Sequence, residues 1–153
     1  MVLELIKPTL NDIAAMQALV KPYVEEGIIL ARSDDEVANA IRSYILAHEK
    51  STLLGFASLF IYTAKLAEIR SLVVAKTHWR KGVGGAIVKS LIKEARELGL
   101  RQILTLSYHT AFFHKLGFHD VPKEEVWHHK VWEDCIRCRH FPICNESALI
   151  LEL

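Results

Sequence analysis

Apolar and polar positions alternate along the chain with two different periods, and these divide it into elements. Leu3 to Ile6 reads as an opening strand that stops at Pro8. Thr9 and Asp12 resemble a capping arrangement, with Asp in place of the usual Glu or Gln. The helix they open keeps Ile13, Met16, Leu19 and Val20 at helical spacing. Ser33 and Glu36 make a better capping box, for a second and shorter helix through Val37 and Ile41. Tyr44 to His48 fits a continuation of that helix or a strand equally well, and periodicity does not choose between them.

After the polar turn Glu49-Lys50-Ser51, the run Leu53 to Tyr62 is rich in aromatic and branched residues and predicts a strand. Thr63-Ala64-Lys65 leads into a further strand, Ala67 to Ala75, and the short connection predicts an antiparallel hairpin. A helix is expected from Gly82 to Leu98, with Ile87, Val88, Leu91, Ile92 and Ala95 on one face and Lys89, Lys93, Arg96 and Glu97 on the other. Gly99 stands where a helix C-cap belongs. Ile103 to Leu106 is a short buried strand, and strand, helix, strand at this spacing implies a parallel crossover. A helix at Thr110 to Leu116, a strand at Phe118 to Val121, a helix at Val126 to Asp134 and a closing strand at Ala148 to Leu153 complete the prediction. The fold class is mixed α/β, with helices flanking a sheet that is partly antiparallel and partly parallel.

Composition narrows the classes. At 153 residues, 51% of them apolar and 24% charged, the chain fits one globular domain, 1–153, with no linker or repeat. Such a chain buries roughly two thirds of its unfolded surface, so its core needs no disulfide or metal. Its formal charge of +1 speaks against a general nucleic-acid or anionic-membrane binder. The apolar run Leu53 to Tyr62 is too short to span a bilayer. Met1 to Lys7 has no basic region or small-residue cleavage site, so no export signal is expected. Three cysteines then point to reduced thiols and a cytoplasmic protein.

The most informative segment is Leu72-Val-Val-Ala-Lys-Thr-His-Trp-Arg-Lys-Gly-Val-Gly-Gly-Ala86, an apolar strand running into a basic, glycine-rich turn that opens a helix. Glycines let backbone N–H groups approach a ligand closely, and the helix N-terminus adds partial positive charge. With Arg80 and Lys81 nearby, this is an anion site; a tight turn carrying solvated basic residues is the plainer reading. No Walker pattern is present. A dinucleotide fingerprint would need glycine at Ile87 and an acidic residue for the ribose, and none occurs between Glu97 and Asp120.

These residues resemble the Gcn5-related N-acetyltransferase (GNAT) superfamily, whose pattern Arg/Gln-x-x-Gly-x-Gly/Ala lies between the fourth strand and third helix of a mixed sheet. Gly82-Val83-Gly84 matches its glycine half, while Trp79 stands at the Arg/Gln position. Phe112-Phe-His-Lys-Leu-Gly-Phe118 matches a second landmark. The resemblance implies acetyl-coenzyme A as co-substrate, held mainly by backbone groups. It puts Leu72, Val73, Val74, Arg80, Lys81, Gly82, Val83, Gly84 and Gly85 in the cofactor site.

Three further segments are similar to the acetyltransferase domain of N-acetylglutamate synthases, in the short form without a kinase domain. They are Gly27-Ile-Ile-Leu-Ala-Arg-Ser33, Ala67-Glu-Ile-Arg-Ser-Leu72 and Val131-Trp-Glu-Asp-Cys-Ile-Arg-Cys-Arg-His-Phe-Pro-Ile-Cys-Asn-Glu146. That similarity implies acetyl transfer to the α-amine of L-glutamate, the first committed step of arginine biosynthesis, by direct attack of the amine on the thioester. A dicarboxylate acceptor suits arginine, whose planar fork pairs carboxylates bidentately. Arg32 matches the family's carboxylate-binding arginine, or is a surface residue ahead of a helix cap. Arg70 projects beside the acyl site, or pairs with Glu68 two residues away on the same strand face. Glu68 is the candidate base, directly or through water. Many superfamily members place a tyrosine where Phe113 stands, so Tyr108 becomes the candidate donor to the departing thiolate, or a packed tyrosine.

Cys135, Cys138, His140 and Cys144 have the donor types for tetrahedral zinc. They are crowded, however, and lack a second Cys-x-x-Cys, so they read as ordinary thiols and no metal is assigned. His128-His129 reads as a solvated helix face. An acetyltransferase for another amino acid, a small amine or a protein N-terminus stays open. So does a non-catalytic coenzyme A-binding or zinc-dependent interaction module. An unpaired sheet edge would invite a homodimer.

Overall fold

The computed structural model describes residues 2–126 and 146–153. Among these, seven strands build one sheet: β1 (Glu4–Ile6), β2 (Tyr44–Glu49), β3 (Thr52–Ile61), β4 (Leu66–Val74), β5 (Gln102–Ser107), β6 (His119–Val121) and β7 (Ser147–Glu152). Their order across the sheet is β1-β2-β3-β4-β5-β7-β6. Every neighbouring pair is antiparallel except β4 with β5, which run parallel. The helices are α1 (Ile13–Glu25), α2 (Asp34–Asn39), α3 (Val83–Leu98) and α4 (Thr110–Lys115). None of them is long and apolar enough to cross a membrane. Val126, where a helix to Asp134 is expected to begin, ends a 3₁₀ turn at Lys123–Val126; the rest of that helix, His128-His129, and Cys135, Cys138, His140 and Cys144 lie outside the described residues.

Local chemistry accounts for most boundaries. Both capping boxes form: Thr9 with Asp12 starts a 3₁₀ turn that runs into α1, and Ser33 with Glu36 starts α2. Gly99 ends α3 in the left-handed conformation at φ 86°. The second helix stops at Asn39, short of the expected Ile41, which instead belongs to a 3₁₀ turn at Ile41–Ser43. The tighter turn delivers Tyr44 into the sheet.

The ambiguous run Tyr44 to His48 is a strand because it pairs with β1 on one side and β3 on the other. It is covered on both faces, so Tyr44, Ile45, Leu46 and Ala47 are all buried and show no period of two. Tyr44 and Leu46 join Met16, Val20, Tyr23, Val37, Phe56 and Val73 under α1 and α2. Ile45 and Ala47 join the larger core under α3, with Val83, Ile87, Val88, Leu91 and Ile92. Each fully buried aliphatic side chain is worth about 1.5–3 kcal/mol over exposure.

The close packing of β3, β4 and α3 makes Gly55 obligatory. A Cβ there would lie 2.6 Å from the Val73 carbonyl oxygen and 3.1 Å from Ile87 Cδ1. Gly55→Ala should therefore destabilise the fold by about 2 kcal/mol. Calorimetry should read this as a melting point lowered by roughly 4–8 °C.

Candidate active site

β4 and β5 do not stay together. Their pairing covers only Leu66 with Gln102, Ala67 with Ile103 and Glu68 with Leu104, although β4 runs on to Val74 and β5 to Ser107. Just beyond that pairing, the Thr105 hydroxyl donates to the Ile69 carbonyl at 3.3 Å. A bulge in β4 accompanies the parting. Phe56 faces Val73 and Ser58 faces Arg70, so β4 carries one residue more than β3, and Ser71 there has φ 55°. The result is a gap between the C-terminal halves of two parallel strands, with β4 backbone from Ile69 onward turned toward it.

On the α1 and α2 face, directly opposed residues place Tyr44, Ser58 and Arg70 in one row and Phe60 and Glu68 in the next. Arg70 Nε donates to Glu68 Oε1 at 2.8 Å, and Arg70 Nη2 donates to the Tyr62 hydroxyl at 2.6 Å. The Tyr62 hydroxyl donates in turn to Glu68 Oε1 at 2.5 Å. The Arg70 guanidinium also lies 3.8 Å from the centroid of the Phe60 ring. Both charged side chains are about nine-tenths buried, so mutual pairing is what makes their burial tolerable. Thus the pairing of Glu68 with Arg70 is realised, and Tyr62 and Phe60 complete it.

Burial, and then the neighbouring Glu68 carboxylate, push the Tyr62 phenol well above its ordinary range. The Tyr44 phenol is also raised, chiefly by burial, against the opposing pull of Arg32 and then Arg70. A phenol with a raised pKa keeps its proton in the fold after the unfolded chain, with a pKa near 10, has released it. Between the two pKa values the folded state binds more protons, so stability falls as pH rises above about 10. Urea midpoints between pH 8 and 11 should show this decline, and Tyr62→Phe should flatten it.

At the end of β4 the chain passes through a 3₁₀ turn at Lys76–His78 into the glycine turn. Gly82 is the N-cap of α3 at φ 85°, with no side chain bonding the first helical amides, and Arg80 is left-handed at φ 63°. The first N–H groups of α3 therefore have no acceptor within the helix, and a helix N-terminus of this kind favours anions. Gly82 has open space around the place of a Cβ, so its backbone conformation is what requires glycine there.

The sequence-predicted residues take distinct places. Leu72 and Val74 pack toward the α3 core, whereas Val73 is buried under α1, and Val83 is a core residue of α3. Arg80, Lys81, Gly84 and Gly85 surround Gly82 in the turn and first helical residues. Arg32 precedes the Ser33 cap, and its carbonyl accepts from Gln17 Nε2 at 2.8 Å. Tyr108 follows β5 at the opposite lip of the gap and is 44% exposed. Phe113 is buried edge-on between Phe112 and Phe118, a core residue rather than a site residue. Tyr62, Phe60, Ser58 and Tyr44 were not legible as site residues. The signal was present in the period-two spacing of Ser58, Phe60 and Tyr62, which puts two hydroxyls on one face of an apolar run. Among the described residues, no group of three His, Cys, Asp or Glu side chains is placed to hold a metal.

The sequence model of the acetyltransferase (GNAT) family matches residues 11–118. The chain belongs to this family. Over 144 residues it is 33% identical to an uncharacterized N-acetyltransferase from Chlorobaculum tepidum, covering 94% of this chain and 92% of that one. It is 28% identical to an amino-acid acetyltransferase from Mycobacterium tuberculosis, over 72% of this chain and 65% of the relative. N-acetylglutamate synthase from Neisseria gonorrhoeae, solved with coenzyme A and N-acetyl-glutamate, superposes with a TM-score of 0.87 at 25% identity. The match covers all of this chain and 35% of the synthase. The chain thus spans about a third of that synthase and just under two thirds of the mycobacterial relative. It is an acetyl-CoA-dependent GNAT N-acetyltransferase, with a seven-stranded GNAT-like sheet.

Proposed function

We propose that this GNAT enzyme acetylates the α-amine of L-glutamate, the N-acetylglutamate synthase reaction of arginine biosynthesis. The observation that carries the reading is one of placement: Arg70 stands in a row with Tyr44 and Ser58 on the α1 and α2 face of the sheet, where the β4–β5 pairing ends, and Arg32 leads into α2 on that same face. Two guanidinium forks suit an acceptor with two carboxylates. The names of the amino-acid acetyltransferase and N-acetylglutamate synthase relatives support the same choice.

The gap and the glycine turn fit acetyl-CoA. Backbone groups of Leu72, Val73 and Val74 would line the pantetheine, while the amides of Gly82, Val83, Gly84 and Gly85, with Arg80 and Lys81, would take the pyrophosphate. Bound there, the thioester offers an activated acetyl carbonyl. Glu68 then takes a proton from the glutamate ammonium, directly or through water, and frees the nitrogen lone pair for attack on that carbonyl. The C–N bond forms and the C–S bond breaks; the departing sulfur receives a proton from Tyr108 on the facing lip, and the new amide nitrogen gives up its second proton, through water, to the phenolate left behind. Orientation and backbone donors to the developing oxyanion supply much of the remaining rate.

A second reading, acetylation of an uncharged amine acceptor, is favoured by Arg70 spending Nε on Glu68 and Nη2 on Tyr62. The test is free-thiol release from acetyl-CoA with L-glutamate, glutamine, aspartate and lysine. Preference for L-glutamate is expected; faster turnover with an acceptor lacking the side-chain carboxylate would overturn the proposal while leaving the fold and family untouched.

A further inference from the structure

The GNAT pattern has Arg or Gln three residues ahead of its first glycine, and this chain has Trp79 there. Its indole Nε1 donates to the Val74 carbonyl at 2.9 Å and lies 3.2 Å from the Tyr23 hydroxyl. Tyr23 donates to the same carbonyl at 2.5 Å. Val74 ends β4, and the next amide, Ala75 N–H, bonds back to Leu54 on β3 at 2.7 Å. In a trans peptide the carbonyl points the opposite way, so that of Val74 faces the gap where β5 has parted. Among the described residues no strand supplies its donor; Trp79 and Tyr23 do.

Core burial does not explain the tryptophan. The residue is 53% exposed, and its ring centroid is 6.4 Å from that of Tyr23 in a tilted arrangement. What the side chain does is close a loop: residue 79 returns to residue 74, and the chain leaves that closure directly into left-handed Arg80 and the Gly82 cap. Tyr23 extends the closure to α1, and its backbone carbonyl accepts from Ile28 and Ile29 on the way to Arg32. A salt bridge between Lys76 and Glu26 at 3.0 Å joins the same two segments.

We propose that Trp79 is a positioning residue for acetyl-CoA: its indole N–H, with Tyr23, ties the glycine turn to the end of β4 and so aims the α3 amides at the pyrophosphate. The test uses the full chain and coenzyme A alone, with binding read by calorimetry and folding by thermal melting. Trp79→Phe keeps the ring and loses the donor; it should weaken binding about tenfold, the worth of one hydrogen bond, with little change in melting temperature. Trp79→Gln returns a side-chain N–H and should recover most of the loss. Undiminished binding by Trp79→Phe would overturn the proposal. So would a melting point that falls with affinity and is not rescued by Gln, because Trp79 would then be supporting the fold. Neither readout involves the acceptor, so failure here leaves the glutamate reading intact.

Discussion

Glu68→Gln is expected to lower kcat by about 10²–10³-fold, within the span that a positioned general base contributes. The amide keeps a carbonyl oxygen for the hydrogen bonds that Tyr62 and Arg70 make to Oε1, so the cluster can persist without its negative charge. The affinity for coenzyme A should be unchanged, because the glycine turn lies at the far end of β4. The pH profile separates two roles for the residue. Without a base, the enzyme depends on solution to deprotonate the amine, and the residual rate should climb steadily with pH. If Glu68 serves only to hold Arg70, the rate falls by the same factor at every pH and the KM for the acceptor rises with it.

Arg32→Ala should raise the KM for L-glutamate roughly 30–100-fold, the loss of a charge-assisted contact worth about 2–3 kcal/mol. Folding should survive. The Arg32 carbonyl is held by Gln17, which also bonds Asp34 at 3.1 Å, and α2 starts from its own capping box, so none of these contacts needs the guanidinium. Arg32→Lys should recover only part of the affinity, since an ammonium is a point charge and cannot present two parallel donors. Initial rates across a glutamate titration at saturating acetyl-CoA check this directly. An unchanged KM would assign Arg32 to the surface ahead of α2 and favour an acceptor without a second carboxylate.

Both experiments bear on residues whose types were visible in the sequence but whose relations were not. Glu68 and Arg70 two positions apart on a strand announce a shared face, and the ion pair follows from that spacing. Tyr62, however, reaches the pair only because β3 and β4 turn back on each other in register, putting Phe60 opposite Glu68 and Ser58 opposite Arg70. Trp79 presents a similar case. As a sequence letter it is a departure from the GNAT pattern; in the fold it is a donor to the carbonyl that ends β4. Phe113 packs inside the aromatic cluster with Phe112 and Phe118. Tyr108 on the exposed lip of β5 remains the phenol for the proposed proton donation.

The sequence by itself determined most of the elements, the mixed sheet, the glycine turn and the family. Capping boxes, the apolar stripe of α3, left-handed glycines and short connections act over a few residues and can be read where they stand. Only the tertiary structure decided that Tyr44 to Glu49 is a strand, that β4 bulges at Ser71, and that β4 and β5 separate after Glu68. Those outcomes depend on which backbone groups find partners in distant segments. A strand buried on both faces carries no period, and a parted pair of strands leaves no mark in either of them.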